Sequence, residues 1–237
     1  MADEDSGIDL YVYLNAELSL IDRNEVAWDS AAYAEVGNAF FESGDEWIDA
    51  FTGFHVDVTF RKMAWIEERL DRVLVRHEAA LGYTTCLWHN VLSSEALHDP
   101  NEWFVSLQAE TRQPYAEALR QAIVRLNHPI LRQSASSYMY QLERALGRED
   151  WVSVNHRIAA MLASYFDILF AVNRMPHPGE KRLLQIASTL CERVPPDMQR
   201  DIEALICAIA EGKLVAERAE QLIDGLDSLL RGEGLIR

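Results

Sequence analysis

Two aspartates in this sequence stand where carboxylate chemistry is feasible. Asp9 lies in Gly7-Ile8-Asp9-Leu10-Tyr11-Val12-Tyr13-Leu14, and Asp57 lies in His55-Val56-Asp57-Val58-Thr59-Phe60-Arg61. Both runs alternate with the period of a β-strand, so Gly7, Asp9 and Tyr11 share one face of the first, and His55, Asp57 and Thr59 share one face of the second. If the strands pair, the two carboxylates converge and repel unless a cation lies between them. A hard divalent cation such as Mg²⁺ suits that place, because it is commonly held by one or two carboxylates together with substrate phosphates. Solvated carboxylates on an exposed sheet face account for the same residues without any ligand.

A second feature is the run Asn173-Arg174 through Met175-Pro176-His177-Pro178-Gly179-Glu180-Lys181-Arg182. It puts Lys181 and Arg182 just past a Pro-Gly loop at the opening of a helix, where free N–H groups and the helix dipole both favour an anion such as phosphate. Solvated surface cations explain it equally well. His55 and His89 have no partner at metal-ligand spacing, and Mg²⁺ prefers oxygen, so both stay outside the expected site. No phosphate-cradling P-loop, no Gly-x-Gly-x-x-Gly and no Gly-x-Ser-x-Gly occurs.

The elements that must position these groups can be read in order. A short helix is expected within 19–33, starting near Asp22 or Asn24. Extended segments are expected at 35–41, 46–51 and 54–61, separated by the turn signals Ser43-Gly44-Asp45 and Thr52-Gly53. From Lys62 the period changes: Met63, Ile66, Leu70, Val73 and Leu74 recur at three and four, an amphipathic helix. A further helix over 84–97 stops at His98-Asp99-Pro100, where Asp99 reads as a helix-terminating residue. Beyond Asn101 no strand is expected. Helices are read at 115–127, broken by His128-Pro129, then at 130–146, at 151–174 with Asp150 as N-cap, at 180–190, 197–210 and 214–230. The 151–174 helix, with Val154, Ile158, Met161, Leu162, Tyr165, Phe166, Leu169 and Phe170 as its apolar stripe, reads as the spine of the second half.

The bulk properties bound the function. The chain has 237 residues, a hydrophobic share of 49%, a charged share of 25% and a net charge of −16. That charge repels a phosphate polymer, so a nucleic-acid substrate is not expected, while a cationic small-molecule acceptor would be concentrated by the field. Cys86, Cys191 and Cys207 are widely spaced, which points to reduced thiols in a cytoplasmic protein and away from a zinc site or disulfide frame. No apolar run approaches the ~18 residues that span a membrane.

The stretch Ser6-Gly7-Ile8-Asp9-Leu10 after the acidic lead Ala2-Asp3-Glu4-Asp5, followed by a lone Asp57 in an apolar strand and a charged helix, resembles the polymerase-β-like nucleotidyltransferase superfamily. Within it the likeness is to bacterial antibiotic-type enzymes with a helical C-terminal domain. The family's Asp-x-Asp pair falls on Gly7-Ile8-Asp9 and its third carboxylate on Asp57. Gly7 thus stands in place of one aspartate, and the family's Gly-Ser element has no counterpart, since Met1 falls where the connecting loop would lie. The resemblance therefore implies either a start shortened relative to longer relatives or a degenerate member. Asp5 shares a face with Asp9 but lies about 13 Å along an extended strand, a poor replacement.

The resemblance implies an α+β fold: a small mixed-sheet nucleotidyltransferase domain over 1–105, followed by an all-α helical bundle domain over 106–237. It implies transfer of a nucleoside monophosphate from a nucleoside triphosphate to a hydroxyl of a small molecule, with Mg²⁺ as cofactor and Asp9 and Asp57 as metal ligands and catalytic groups. Asp57 would also take the acceptor proton, and Lys181 and Arg182 would bind nucleotide phosphates. The alternative is a non-catalytic nucleotide- or protein-binding module that keeps the fold, with a homodimer formed through a sheet edge or the bundle. A helical regulatory partner of a basic protein is a third reading.

Overall fold

The computed structural model describes residues 7–40 and 42–237. The expectation about Asp5 lies outside the described residues. The chain runs β1 (Ile8–Leu14), α1 (Leu20–Ser30), β2 (Ala31–Asn38), β3 (Gly44–Asp49), β4 (His55–Lys62), α2 (Met63–Leu74), α3 (Cys86–Ser93), α4 (Trp103–Thr111), α5 (Glu117–Arg132), α6 (Tyr138–Leu146), α7 (Trp151–Val172), α8 (Leu183–Leu190), α9 (Met198–Glu211) and α10 (Val215–Gly232). It is an α+β protein, a four-stranded mixed sheet followed by helices. Its contacts divide it into two compact units, Met1–Arg69 and Leu70–Arg237. The division expected at 105 falls inside α4, because α3 and α4 belong with the helices that follow them.

In the first unit the strand order is β1-β4-β3-β2, with β1 parallel to β4 and the other pairs antiparallel. α1 begins at Ser19, whose hydroxyl oxygen accepts the Asp22 N–H at 3.1 Å. A buried polar anchor helps hold the helix. Arg23 donates from Nε to Asp45 Oδ2 (2.9 Å) and from Nη2 to Oδ1 (2.5 Å), and its guanidinium lies 4.2 Å over the Phe60 ring. Asp45 pairs in register with Val58, so α1 covers the face that carries Val58 and Phe60. The opposite face, with Asp9 and Asp57, remains polar.

The second unit has its core around α7, which buries Ile158, Met161, Tyr165, Leu169 and Phe170. Asp150 caps α7, its Oδ1 accepting the Ser153 N–H at 3.1 Å, as its position before an apolar run predicts. Asp99 caps α4 rather than ending α3: its carboxylate accepts the N–H groups of Trp103 and Val105, each at 2.9 Å. Pro129 does not break the helix. α5 continues to Arg132 and buries His128 and Leu131, while the next helix waits for the Ser137 cap. A proline removes one ladder bond, and here the burial of the turn around it outweighs that loss.

Candidate functional site: an acidic row across the sheet

Asp9 and Asp57 are direct partners in the parallel β1–β4 register. The antiparallel register continues the row, with Glu46 opposite Asp57 and Glu35 opposite Glu46. Partners in register project to the same face of a sheet, and neighbouring strands lie about 4.8 Å apart. Four carboxylates therefore cross one face in a single line. Asp9 is exposed and Asp57 half-buried.

The outer members of the row are engaged locally. Glu46 accepts from Asn38 Nδ2 at 3.2 Å and lies 3.4 Å from His55 Nε2. Glu35 accepts the Tyr33 hydroxyl at 2.8 Å, and that hydrogen bond pushes the exposed Tyr33 phenol above its ordinary range. Arg61, a cation on the same face of β4, is likewise committed. It donates to both Glu42 oxygens (2.9 and 2.7 Å) and lies over the rings of Tyr11 and Trp65. The Arg61 hydrogen bonds hold the Glu42 carboxyl below its usual value against the opposing effect of burial.

Among the described residues no three Asp, Glu, His or Cys side chains gather into a metal-holding group. The donor set fits one arrangement and not another. Two adjacent carboxylates match a single Mg²⁺ that takes its remaining oxygens from phosphates and water. A denser two-metal ring does not fit, for a steric reason at Gly7: a Cβ built there would come 2.8 Å from the His55 carbonyl oxygen, a backbone atom that cannot simply rotate away. The close approach of the two strands, and not only the loss of a ligand, accounts for glycine at this place. Gly7→Asp is accordingly expected to destabilise the first unit by about 1–3 kcal/mol. Urea denaturation of the variant checks this; an unchanged midpoint would show that the strand end yields freely.

Lys181 and Arg182 belong to the second unit, and both are exposed just ahead of α8. Arg182 occupies the N-cap in the left-handed conformation (φ 57°) without a side-chain cap bond. It borders an open groove of about 520 Å³ with Leu183, Leu184, Gln185, Ser188, Thr189 and Gln199. Sequence reasoning found Asp9 and Asp57 but missed Glu46 and Glu35. The Thr52-Gly53 turn was the available signal. Asp49 Oδ1 accepts the Phe51 and Thr52 N–H groups there, which fixes Ile48 opposite His55 and hence Glu46 opposite Asp57.

The architecture defines a class no finer than an α+β protein with a mixed sheet and a helical second unit. No family model matches the chain, and no curated protein matches it. Among solved structures it is similar to a nucleotidyltransferase-like protein from Exiguobacterium sibiricum 255-15, with 13% sequence identity and a TM-score of 0.44. The match covers 83% of this chain and 60% of that one, so the chain spans about three fifths of the length of that structure. Likeness at this level leaves function to be argued from the chain's own residues. No described helix is long and apolar enough to cross a membrane.

Proposed function

We propose that this is a nucleotidyltransferase-like protein whose polar sheet face binds a nucleoside triphosphate together with one Mg²⁺, at Asp9 and Asp57. The observation that carries the reading is the direct parallel pairing of those two residues, which sets two carboxylates side by side on one face of the sheet. Mg²⁺, when bound, neutralises charge that develops on the phosphates. Asp9 and Asp57 orient the triphosphate by fixing that charge. Asp57, the more buried of the two, takes the proton of the acceptor hydroxyl as its oxygen bonds to the α-phosphorus and the bond to the pyrophosphate oxygen breaks. Lys181 and Arg182 are proposed to bind phosphate. A cationic acceptor suits the net charge of −16.

The steric closure at Gly7 favours a second reading, a non-catalytic module that binds nucleotide or protein without turning it over. β1 pairs with β4 on one side and forms an edge of the sheet, the place where a second copy would add.

Melting of the full chain with Mg²⁺ and each of the four nucleoside triphosphates tests the binding claim. One of them at a hundredfold excess over its dissociation constant should stabilise the protein by ~2.7 kcal/mol. The shift is expected to vanish without metal and in Asp57→Asn. A shift that survives both changes places the nucleotide elsewhere, and turnover of an acceptor then separates the two readings.

A further inference from the structure

The second unit contains a buried carboxylate that the proposed function does not use. Asp167 of α7 is 1% exposed and has no ion-pair partner among the described residues. Its Oδ1 accepts the Thr84 N–H at 3.0 Å, its Oδ2 lies 2.6 Å from Thr84 Oγ1, and Asn127 Nδ2 of α5 reaches Oδ2 at 3.3 Å. Asn127 also accepts the Gly82 N–H at 3.0 Å and donates to the Ala80 carbonyl at 2.9 Å. Residues 80–84 are thus fastened to α5 and α7 by two side chains. The fastened turn holds Tyr83 in the left-handed region (φ 54°) beside Gly82 (φ +72°), where only glycine fits easily because a Cβ would meet Ala163 of α7 at 3.1 Å.

The hydrogen bonds around Asp167 can be made in two ways. With the carboxylate ionised, Thr84 Oγ1 donates to it. With the carboxyl protonated, Oδ2–H donates to Thr84 Oγ1, which turns its own proton to the Ala80 carbonyl 3.2 Å away. Only the first leaves a buried charge without a cation, and burial accordingly raises the pKa to about 7, partly offset by the Thr84 bonds. The titratable groups that feel this charge from the packed elements are Cys86 on α3 and Tyr115 ahead of α5. Both are pushed up by burial, Cys86 to about 12, so neither supplies a positive charge. His177 lies beyond Cys86, its Nδ1 3.3 Å from Sγ, and desolvation holds it uncharged with a value of about 4.

We propose that Asp167, Thr84 and Asn127 form a proton-operated clasp on residues 80–84, closed while Asp167 carries its proton and loosened when the proton leaves. Opening returns Asp167 to water, where a carboxyl ionises near ~3.9. Between that value and about 7 each opening releases one proton, so the closed state loses stability as pH rises through this window and is levelled above it. His177 acts in the opposite sense if it is freed, since it gains a proton on exposure.

Amide hydrogen exchange of the full-length protein, read on peptides covering 79–86 and corrected for intrinsic rates, tests the clasp. In the wild type relative to Asp167→Asn, opening should increase about tenfold per pH unit from pH 5 to 7. Asn at 167 reproduces the protonated pattern, and His177 cancels in the comparison. Thr84→Val removes a donor that favours the carboxylate and should move the wild-type midpoint to higher pH; it gives the same answer if the Asn variant does not fold. Profiles for the wild type and Asp167→Asn that differ by a constant factor, or a Thr84→Val midpoint that does not move, would overturn the proposal.

Discussion

Asp227→Leu is expected to destabilise the helical unit by roughly 3–5 kcal/mol, the cost of breaking a buried charge pair. Asp227 of α10 is 3% exposed. It accepts from His128 Nε2 and from Arg132 Nη2 of α5, each at 2.6 Å. The two donors do not suffer equally when it is removed. Arg132 keeps Glu220 at 2.6 Å and Asp224 at 2.7 Å, so its charge stays neutralised near the surface. His128, 4% exposed, has its Nε2 hydrogen bond to Asp227 alone, and the cost concentrates there. Asp227→Asn keeps an acceptor for His128 and should cost about 1.5–3 kcal/mol.

The pH dependence separates charge from shape. Burial alone would raise the Asp227 carboxyl, but the hydrogen bonds and charges of His128 and Arg132 outweigh it and hold the group below the ordinary range. A depressed carboxyl contributes stability that is present above the unfolded value of ~3.9 and is lost as pH falls through the folded one. The urea midpoints of wild type and Asp227→Asn should therefore differ at pH 6 and draw together as pH falls from about 4 through the folded value. A constant difference across that range would mean that the asparagine disturbs packing and not the charge.

What the sequence discloses follows the range of the interaction that decides each feature. The β1–β4 pair and its two aspartates were legible because alternation is local and a single parallel register sets Asp9 opposite Asp57. The α7 spine was legible from its stripe, yet Asp167 and Ser164 within that stripe were passed over, although a lone carboxylate in an apolar run marks a buried polar contact. Its partners, Thr84 and Asn127, lie 83 and 40 residues away, beyond any periodic signal. Pro129 illustrates the converse. The local rule favours a break, whereas His128 and Leu131 are buried by continuing the helix, and His128 meets an aspartate 99 residues later.

The same long-range logic makes Arg23→Met the substitution with the widest consequence for the proposed site. Asp45, 2% exposed, would keep the Gly37 N–H at 2.8 Å but lose its only cation among the described residues. The expected cost is again about 3–5 kcal/mol. The first unit ends at Arg69, and a unit of that size has only ~3–10 kcal/mol in total, so this one change should leave it largely unfolded. Hydrogen exchange of the full chain should then show lost protection in β3 and β4 with α5 and α7 unchanged. Any nucleotide-induced stabilisation should disappear although Asp9 and Asp57 are untouched, because Glu46 and Asp57 are placed by the strands that Asp45 joins. Replacing both partners, Arg23→Met with Asp45→Leu, removes the stranded charge and should recover much of the lost stability. If the double variant is no more protected than Arg23→Met, the anchor acts through the packing of the guanidinium on Phe60 and not through the charge it neutralises.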